Sequence, residues 1–137
     1  QIQKLSPDAK LPTYAHATDA GMDLYAAAEM AVAPGTRALV GTGIAMAIPA
    51  GYVGLVWDKS GLAAKAGLTT FAGVIDAEYR GEISVVVYNS GDEVYTFRAG
   101  EKVAQLLVQP VMHPKLIEVA DLDATARGSG GFGSTGT

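Results

Sequence analysis

The sequence predicts an antiparallel all-β domain, a sandwich or barrel, with one short helix. Three observations point there. Turn signals recur at Pro34-Gly35, Gly41-Thr42-Gly43, Pro49-Ala50-Gly51, Asn89-Ser90-Gly91-Asp92 and Ala99-Gly100, many at the ~8–12-residue spacing of all-β domains. The segments between them are short, apolar or alternating. A 3.6-residue period is nearly absent. Taken in order, Thr36–Val40 reads as a strand, and Ile44–Ile48 as another with Ile44, Met46 and Ile48 on one face and Ala45 and Ala47 on the other. Tyr52–Trp57 follows as a third. Ser60–Ala66 reads as a two-turn helix, with Ser60 as N-cap and Gly67 just past its end. In the stretch Gly73–Ile83, two apolar runs flank a polar turn, a β-hairpin or tight loop. Glu82–Tyr88 alternates Ile83, Val85 and Val87 with Ser84, Val86 and Tyr88. Val103–Val111 is an apolar run broken by Gln105 and Gln109, and Leu116–Val119 closes the set.

The length of 137 residues is one domain's worth, and no repeat or internal boundary divides it. The compositional break comes at Arg127, so a β domain over residues 1–126 and a Gly-rich tail over 127–137 are expected. Cysteine is absent, which removes disulfides, thiolate metal sites and a Cys nucleophile and fits a reducing compartment, the cytoplasm. Ten Lys and Arg against fourteen Asp and Glu give a net charge of −4, which argues against nucleic-acid binding through a basic face. No run approaches the ~20 apolar residues of a membrane span. Gln1–Lys4 lacks the apolar core of a signal peptide. Glycine is over-represented: 17 residues against ~7% in average proteins. Either turns are many or some glycines take part in chemistry.

Several fragments can carry chemistry. Asp76 stands three residues before Tyr79, a carboxylate able to act as general base beside a ring able to stack on a sugar or base. Lys59-Ser60-Gly61 at a helix start offers an ammonium, a hydroxyl and backbone N–H groups to a phosphate, without the spacing of a P-loop. Asp23 sits in the strand-like Ala20-Gly21-Met22-Asp23-Leu24-Tyr25, where strands disfavour Asp. Gln105 interrupts an apolar strand, and a buried amide needs partners. His16 and His113 are isolated and form no zinc pair. Trp57 and Phe71 read as core or interface residues. The tail from Arg127 to Thr137 has five Gly in eleven residues. It reads as a flexible linker, except that one guanidinium, one ring (Phe132) and hydroxyls, Ser134 and Thr135 among them, also suit a segment that wraps a nucleotide.

Together these fragments resemble the homotrimeric deoxyuridine triphosphate nucleotidohydrolases, the dUTPases, whose five motifs all occur here in order. They are Ala20–Leu24, Lys59–Ala63, Gly73–Gly81, Gly100–Leu106 and Arg127–Gly136. The resemblance implies a β jelly roll with strands exchanged in a trimer, active sites shared between subunits, and hydrolysis of dUTP to dUMP and pyrophosphate by water attack at the α-phosphorus. By the same resemblance Asp76 positions and deprotonates the water. Tyr79 lies against the deoxyribose and excludes a 2′-hydroxyl. Backbone around Thr70, Val74, Ile75, Asp76 and Ser84 reads the uracil edge. Lys59, Ser60 and Gly61 hold the α- and β-phosphates, and Gln105 bonds on the α-phosphate side. Arg127 grips the γ-phosphate, Phe132 covers the uracil, and Gly133, Ser134 and Thr135 reach phosphate. Mg²⁺ is chelated mainly by the triphosphate, with Asp23 touching it through water. The chain departs from the family at Asp58-Lys59, where Pro-Arg is usual, and at Lys102, where Arg is common. Asp58 puts a negative charge beside a phosphate site unless it is turned away or paired. Two other readings share the fold: a dCTP deaminase-like enzyme, which needs a Glu acting at the base, and a non-catalytic nucleotide-binding regulatory jelly roll.

Overall fold

The structure, a computed structural model, describes residues 1–131. Ten strands and one helix follow one another as β1 (Ile2–Lys4), β2 (Met22–Tyr25), β3 (Met30–Val32), β4 (Arg37–Met46), β5 (Tyr52–Trp57), α1 (Ser60–Ala66), β6 (Leu68–Phe71), β7 (Val74–Ile75), β8 (Glu82–Asn89), β9 (Tyr95–Phe97) and β10 (Lys102–Pro110). They build two four-stranded antiparallel sheets, ordered β1-β4-β8-β6 and β2-β10-β5-β7, and a small β3-β9 ladder. Leu24, Val40, Ile44, Ile83, Val85 and Leu106, drawn from both sheets, share one buried core. The result is the all-β, jelly-roll-like fold with a single short helix. The alternation in β8 is the one expected: Ile83, Val85 and Val87 face the core and are buried. At the strand's end Asn89 is also buried. Its amide donates to Val32 O (2.9 Å) and Glu93 O (2.8 Å), and its Oδ1 accepts from Gly91 N–H (2.9 Å), which ties the small ladder to the sandwich.

Four sequence expectations need correction. Thr36–Val40 and Ile44–Ile48 are one strand, β4, and Gly41-Thr42-Gly43 is a bulge inside it, where the β4–β8 register shifts. Gly43 takes φ +67°, and a Cβ there would stand 2.9 Å from Ala9 Cβ. Thr42 Oγ1 donates to Ile83 O, and Gly43 N–H donates to Glu82 Oε1 at 2.7 Å, so β8 holds the bulge. Second, the residue capping α1 is Lys59, in extended conformation (φ −90°, ψ 120°) and without a side-chain cap bond, which leaves Ser60 inside the first turn. Third, Leu116–Val119 forms no strand. Leu116 is 90% and Ile117 72% exposed, because no strand of the same chain offers this segment a ladder. Fourth, of the core and interface readings of Trp57 and Phe71 only the core one falls: they are 57% and 45% exposed. Phe71 stacks on Tyr88 on the outer face of its sheet, with ring centroids 5.3 Å apart. His16 and His113 are exposed, as expected.

Candidate active site

Three strands of one sheet bring the first and fourth motifs into a single row and lead from its end to the second. Asp23 on β2 is opposite Gln105 on β10, and Gln105 is opposite Trp57 on β5. Their neighbours Leu24, Ala104, Leu106 and Val56 point into the core, so the row itself faces outward. From Trp57 the chain runs through Asp58 to Lys59 and α1. Gln105 Nε2 donates to Asp58 O at 2.9 Å, which answers the question of what a polar amide does in an apolar strand. Gly21 is part of the same arrangement, because a Cβ there would stand 2.7 Å from Gln105 Oε1.

Asp58 is turned away from the phosphate step. Its Oδ1 accepts from Thr70 N–H (2.6 Å) and Thr70 Oγ1 (2.7 Å), and its Oδ2 from Thr69 Oγ1 (2.8 Å). The acid that looked unfavourable beside a phosphate is therefore a tether from the step to β6. Thr70 gives both its N–H and its hydroxyl to Asp58. Asp58 is half-buried, whereas Asp23, whose side chain is only 5% exposed, is a buried acid. Lys59 Nζ donates to its Oδ1, and Lys102 Nζ stands 2.6 Å from Oδ2 as an ion pair, with no donor aligned on that oxygen. Burial pushes both carboxyls up in pKa. For Asp23 the ammonium groups of Lys102 and Lys59 outweigh burial, and for Asp58 the donors of Thr70 and Thr69 do, so both lie below the ordinary 3.8.

A pH dependence follows from this. A depressed carboxyl stabilises the fold fully above its unfolded value near 3.8, and that contribution fades as pH falls through the lower folded value. Thermal unfolding across the acid range should show Asp58→Asn with a shallower acid limb than the parent. At neutral pH the variant should be about 1–2 kcal/mol less stable.

The third motif lies elsewhere. β7 pairs with β5, not with β8 (Gly54 opposite Ile75, Leu55 opposite Val74), so Gly73–Ile83 is a tight loop passing between sheets rather than a hairpin. Asp76 opens the turn, exposed, and its carbonyl accepts from Tyr79 N–H at 3.1 Å. Arg80 Nη1 donates to Ala77 O (2.6 Å) and Tyr79 O (2.8 Å), and Tyr79 Oη donates to Glu82 O (3.0 Å). The Tyr79 ring lies over Gly81, where a Cβ would stand 2.6 Å from Tyr79 Cζ. Asp76, Glu78, Tyr79 and His113 line a cleft of about 610 Å³ with Ala50, Ala77 and Gly51. At the head of the segment, Gly73 takes φ +102°, and a Cβ there would press on Val56 O at 2.8 Å. Ser84, on β8, belongs to the opposite sheet from Val74 and Ile75.

The structure therefore brings together Asp23, Gln105 and Lys59, followed in α1 by Ser60 and Gly61, but places Asp76 and Tyr79 at the other end of β5. One residue past the Gly54–Ile75 pair, Asp76 stands level with Val53. Lys59 is six residues further along, about 20 Å at strand rise. Arg127 is exposed in a turn of its own, with Nε donating to Gly130 O at 2.8 Å. Phe132, Gly133, Ser134 and Thr135 lie outside the described residues. Two contributors stayed hidden in the sequence: Asp58 as a tether and Lys102 as a second cation on Asp23. The only sequence hint of either was that Asp58 and Lys102 stand at motif positions where the family usually has Pro and Arg.

Among the described residues no three His, Cys, Asp or Glu side chains gather as a metal cage. The two oxygens of the buried Asp23 carry Lys59 and Lys102, and a water of a metal ion that brings its other ligands with it would take the place of one of those ammonium groups.

The fold and site together define a jelly-roll-like β protein with a divided polar site of the kind that holds a phosphorylated ligand. The dUTPase family model matches residues 7–136. The chain belongs to the dUTPase family. It is 47% identical over 135 residues to a probable deoxyuridine 5'-triphosphate nucleotidohydrolase of Schizosaccharomyces pombe, covering 98% of this chain and 96% of the relative. It is 50% identical over 142 residues to the deoxyuridine 5'-triphosphate nucleotidohydrolase of Corynebacterium jeikeium, covering 99% and 92%. Among solved structures, a dUTPase variant of Staphylococcus bacteriophage 80alpha with dUpNHpp superposes with a TM-score of 0.95 at 30% identity, covering 100% of this chain and 98% of that one. A dUTPase variant of phage phi11 of S. aureus, described with a structural Mg(II) ion, gives 0.84 at 30% identity, covering 88% and 96%.

Proposed function

We infer that the protein is a dUTP diphosphatase that hydrolyses dUTP to dUMP and pyrophosphate. The observation that carries this reading is the family match over residues 7–136, which contains all five motifs in order. Asp76 accepts a proton from a water as the water oxygen bonds to the α-phosphorus. The bond from that phosphorus to the α–β bridging oxygen breaks, and pyrophosphate leaves. Ser60 donates toward the bridging oxygen, and Lys59 and Gly61 hold the α- and β-phosphates. Gln105, with one amide N–H on Asp58 O, has its second for the α-phosphate side. The main chain of Val74, Ile75 and Asp76, with Thr70 and Ser84 to either side in sequence, reads the uracil edge. Backbone groups suit that task because they cannot rotate to accept cytosine's reversed pattern. Tyr79 packs on the deoxyribose. The tail, residues 127–137, closes over the site: Arg127 on the γ-phosphate, Phe132 on the uracil, Gly133, Ser134 and Thr135 on phosphate. Mg²⁺, bound mainly through the triphosphate with Asp23 on one of its waters, supplies charge neutralisation at the phosphates. The work left to the chain is positioning, proton acceptance and exclusion of stray water.

The partner is a second and third copy of the chain. A water on Asp76 and the groups of Lys59 and Ser60 must meet at one phosphorus, with reacting atoms ~3–3.5 Å apart. The ~20 Å between them along β5 puts them in different sites unless another subunit brings its own Asp76. The exposed Leu116–Val119 segment supports strand exchange in a trimer, since it has apolar side chains and no ladder. No helix among the described residues is long and apolar enough to cross a membrane, and we assign the protein to the cytoplasm. The regulatory reading rested on the unusual Asp58-Lys59 pair, and the turn of the Asp58 carboxylate toward Thr69 and Thr70 speaks against its Asp58 half.

Two results follow. With Mg²⁺ present, pyrophosphate should be released from dUTP and not from dCTP or UTP; ammonia release from dCTP, or no pyrophosphate from dUTP, overturns the reading. In Gly81→Ala the new methyl displaces the Tyr79 ring, so the ratio of kcat/KM for dUTP over UTP should fall about tenfold.

A further inference from the structure

Asp23 is an acid on the outer face of its sheet that is nonetheless buried, and two lysines share it. Lys59, from the phosphate step, takes Oδ1, and Lys102, three residues from Gln105 on β10, takes Oδ2. Neither ammonium is deeply buried: the Lys59 side chain is 27% and the Lys102 side chain 46% exposed. A lysine is a point charge that can leave one oxygen without disturbing the other, whereas a bidentate Arg would hold both. A buried carboxylate must keep a cation, because stripping the last one leaves an uncompensated charge in a poor dielectric. For a substrate phosphate to take Lys59, another cation must therefore hold Asp23, and the Mg²⁺ that arrives with the triphosphate reaches it only through a water.

We propose that Lys102 is a positioning residue: it keeps Asp23 neutralised while Lys59 swings from Asp23 to a phosphate of the substrate. This rests on the dUTPase reading above, which makes Lys59 a phosphate ligand. The free protein then stores Lys59 beside its destination, and substrate binding moves one ammonium between two anions. With Lys102 removed, Lys59 is the sole counter-ion of Asp23. Every binding event must then leave that carboxylate with no directly paired cation, only Mg²⁺ through a water, or leave the phosphate short of a charge.

The test is dUTP hydrolysis by Lys102→Gln and Lys102→Arg, each in the parent and in an Asp23→Asn background, with Tm measured for every variant. Lys102→Gln is expected to raise KM about tenfold with kcat within about twofold. Its Tm should change little, since Lys59 still holds Asp23. Lys102→Arg should restore KM. In the Asp23→Asn background no carboxylate pins Lys59, so adding Lys102→Gln should leave KM unchanged. Three results would overturn the proposal. An unchanged KM in Lys102→Gln would mean that Lys59 serves acid and phosphate together. A KM rise of equal size in the Asp23→Asn background would reduce Lys102 to a general positive field. A loss of kcat with KM intact would place it in the chemical step. If the parent protein releases no pyrophosphate from dUTP, the functional reading has failed, and that outcome is separate from all three.

Discussion

Asp76→Asn is expected to lose about 10²–10⁴-fold in kcat, the usual contribution of a positioned general base. That corresponds to ~3–5 kcal/mol of transition-state stabilisation. The amide keeps the shape of the turn, because the bond that closes it runs from Tyr79 N–H to the main-chain carbonyl of residue 76 and not to the side chain. Binding of a non-hydrolysable dUTP analogue should therefore stay within a few-fold of the parent, and the loss should fall on kcat. Single-turnover pyrophosphate release together with titration of the analogue separates the two. Equal hydrolysis by Asp76→Asn and parent would remove the base assignment. A collapse of analogue binding would make Asp76 a binding residue instead.

Lys59→Ala is the second large effect. A charged hydrogen bond to phosphate contributes ~1.5–3 kcal/mol, so kcat/KM should fall roughly 10–100-fold. Lys59→Arg keeps the charge and should stay within a few-fold of the parent. Stability should respond far less than activity, because Lys102 remains on Asp23 and the buried carboxylate is not left bare. Equal activity of Lys59→Ala and parent would remove the phosphate role. A large drop in Tm would recast Lys59 as a structural partner of Asp23.

Local signals in the chain served well and long-range ones did not. Tyr52–Trp57 and the body of the helix, Ser60–Ala66, stand where the sequence put them, because alternation, small helix-compatible residues and a left-handed Gly67 act within a few residues. Gly41-Thr42-Gly43 reads locally as a turn. It is a bulge because Ile83 O and the Glu82 carboxylate, about forty residues away, take its donors. Leu116–Val119 has the composition of a strand, but composition cannot supply the neighbour a strand must pair with. At the site, Asp23 and Gln105 announced themselves as polar residues out of place in strands. Their partners did not: Lys59, Lys102 and the Asp58 carbonyl reach them only through the β2-β10-β5 register. Asp58 looked like a charge in the wrong place because Thr69 and Thr70, which accommodate it, come from the far side of α1.

The glycine excess also divides. Gly43 and Gly67 serve backbone turns and a bulge at positive φ. Gly21 and Gly81 have ordinary backbone and are there for room, one beneath the Gln105 amide and the other beneath the Tyr79 ring. Likewise a net charge of −4 does not forbid a polyanionic substrate, since a triphosphate needs only a few local cations and backbone donors.

The central claim is that Asp76 of one chain works with Lys59 and Ser60 of another on the same phosphorus. Co-expression of Asp76→Asn and Lys59→Ala/Ser60→Ala chains under two different tags, followed by purification of the doubly tagged species, tests it directly. In a cyclic trimer holding both chains, one junction in three joins an intact Asp76 to an intact Lys59-Ser60 step. Pyrophosphate release from dUTP should therefore recover to about one third of the parent rate per trimer, although each variant alone is nearly inactive. Release no greater than the sum of the two parent variants, or the absence of any doubly tagged species, would contradict a site divided between subunits.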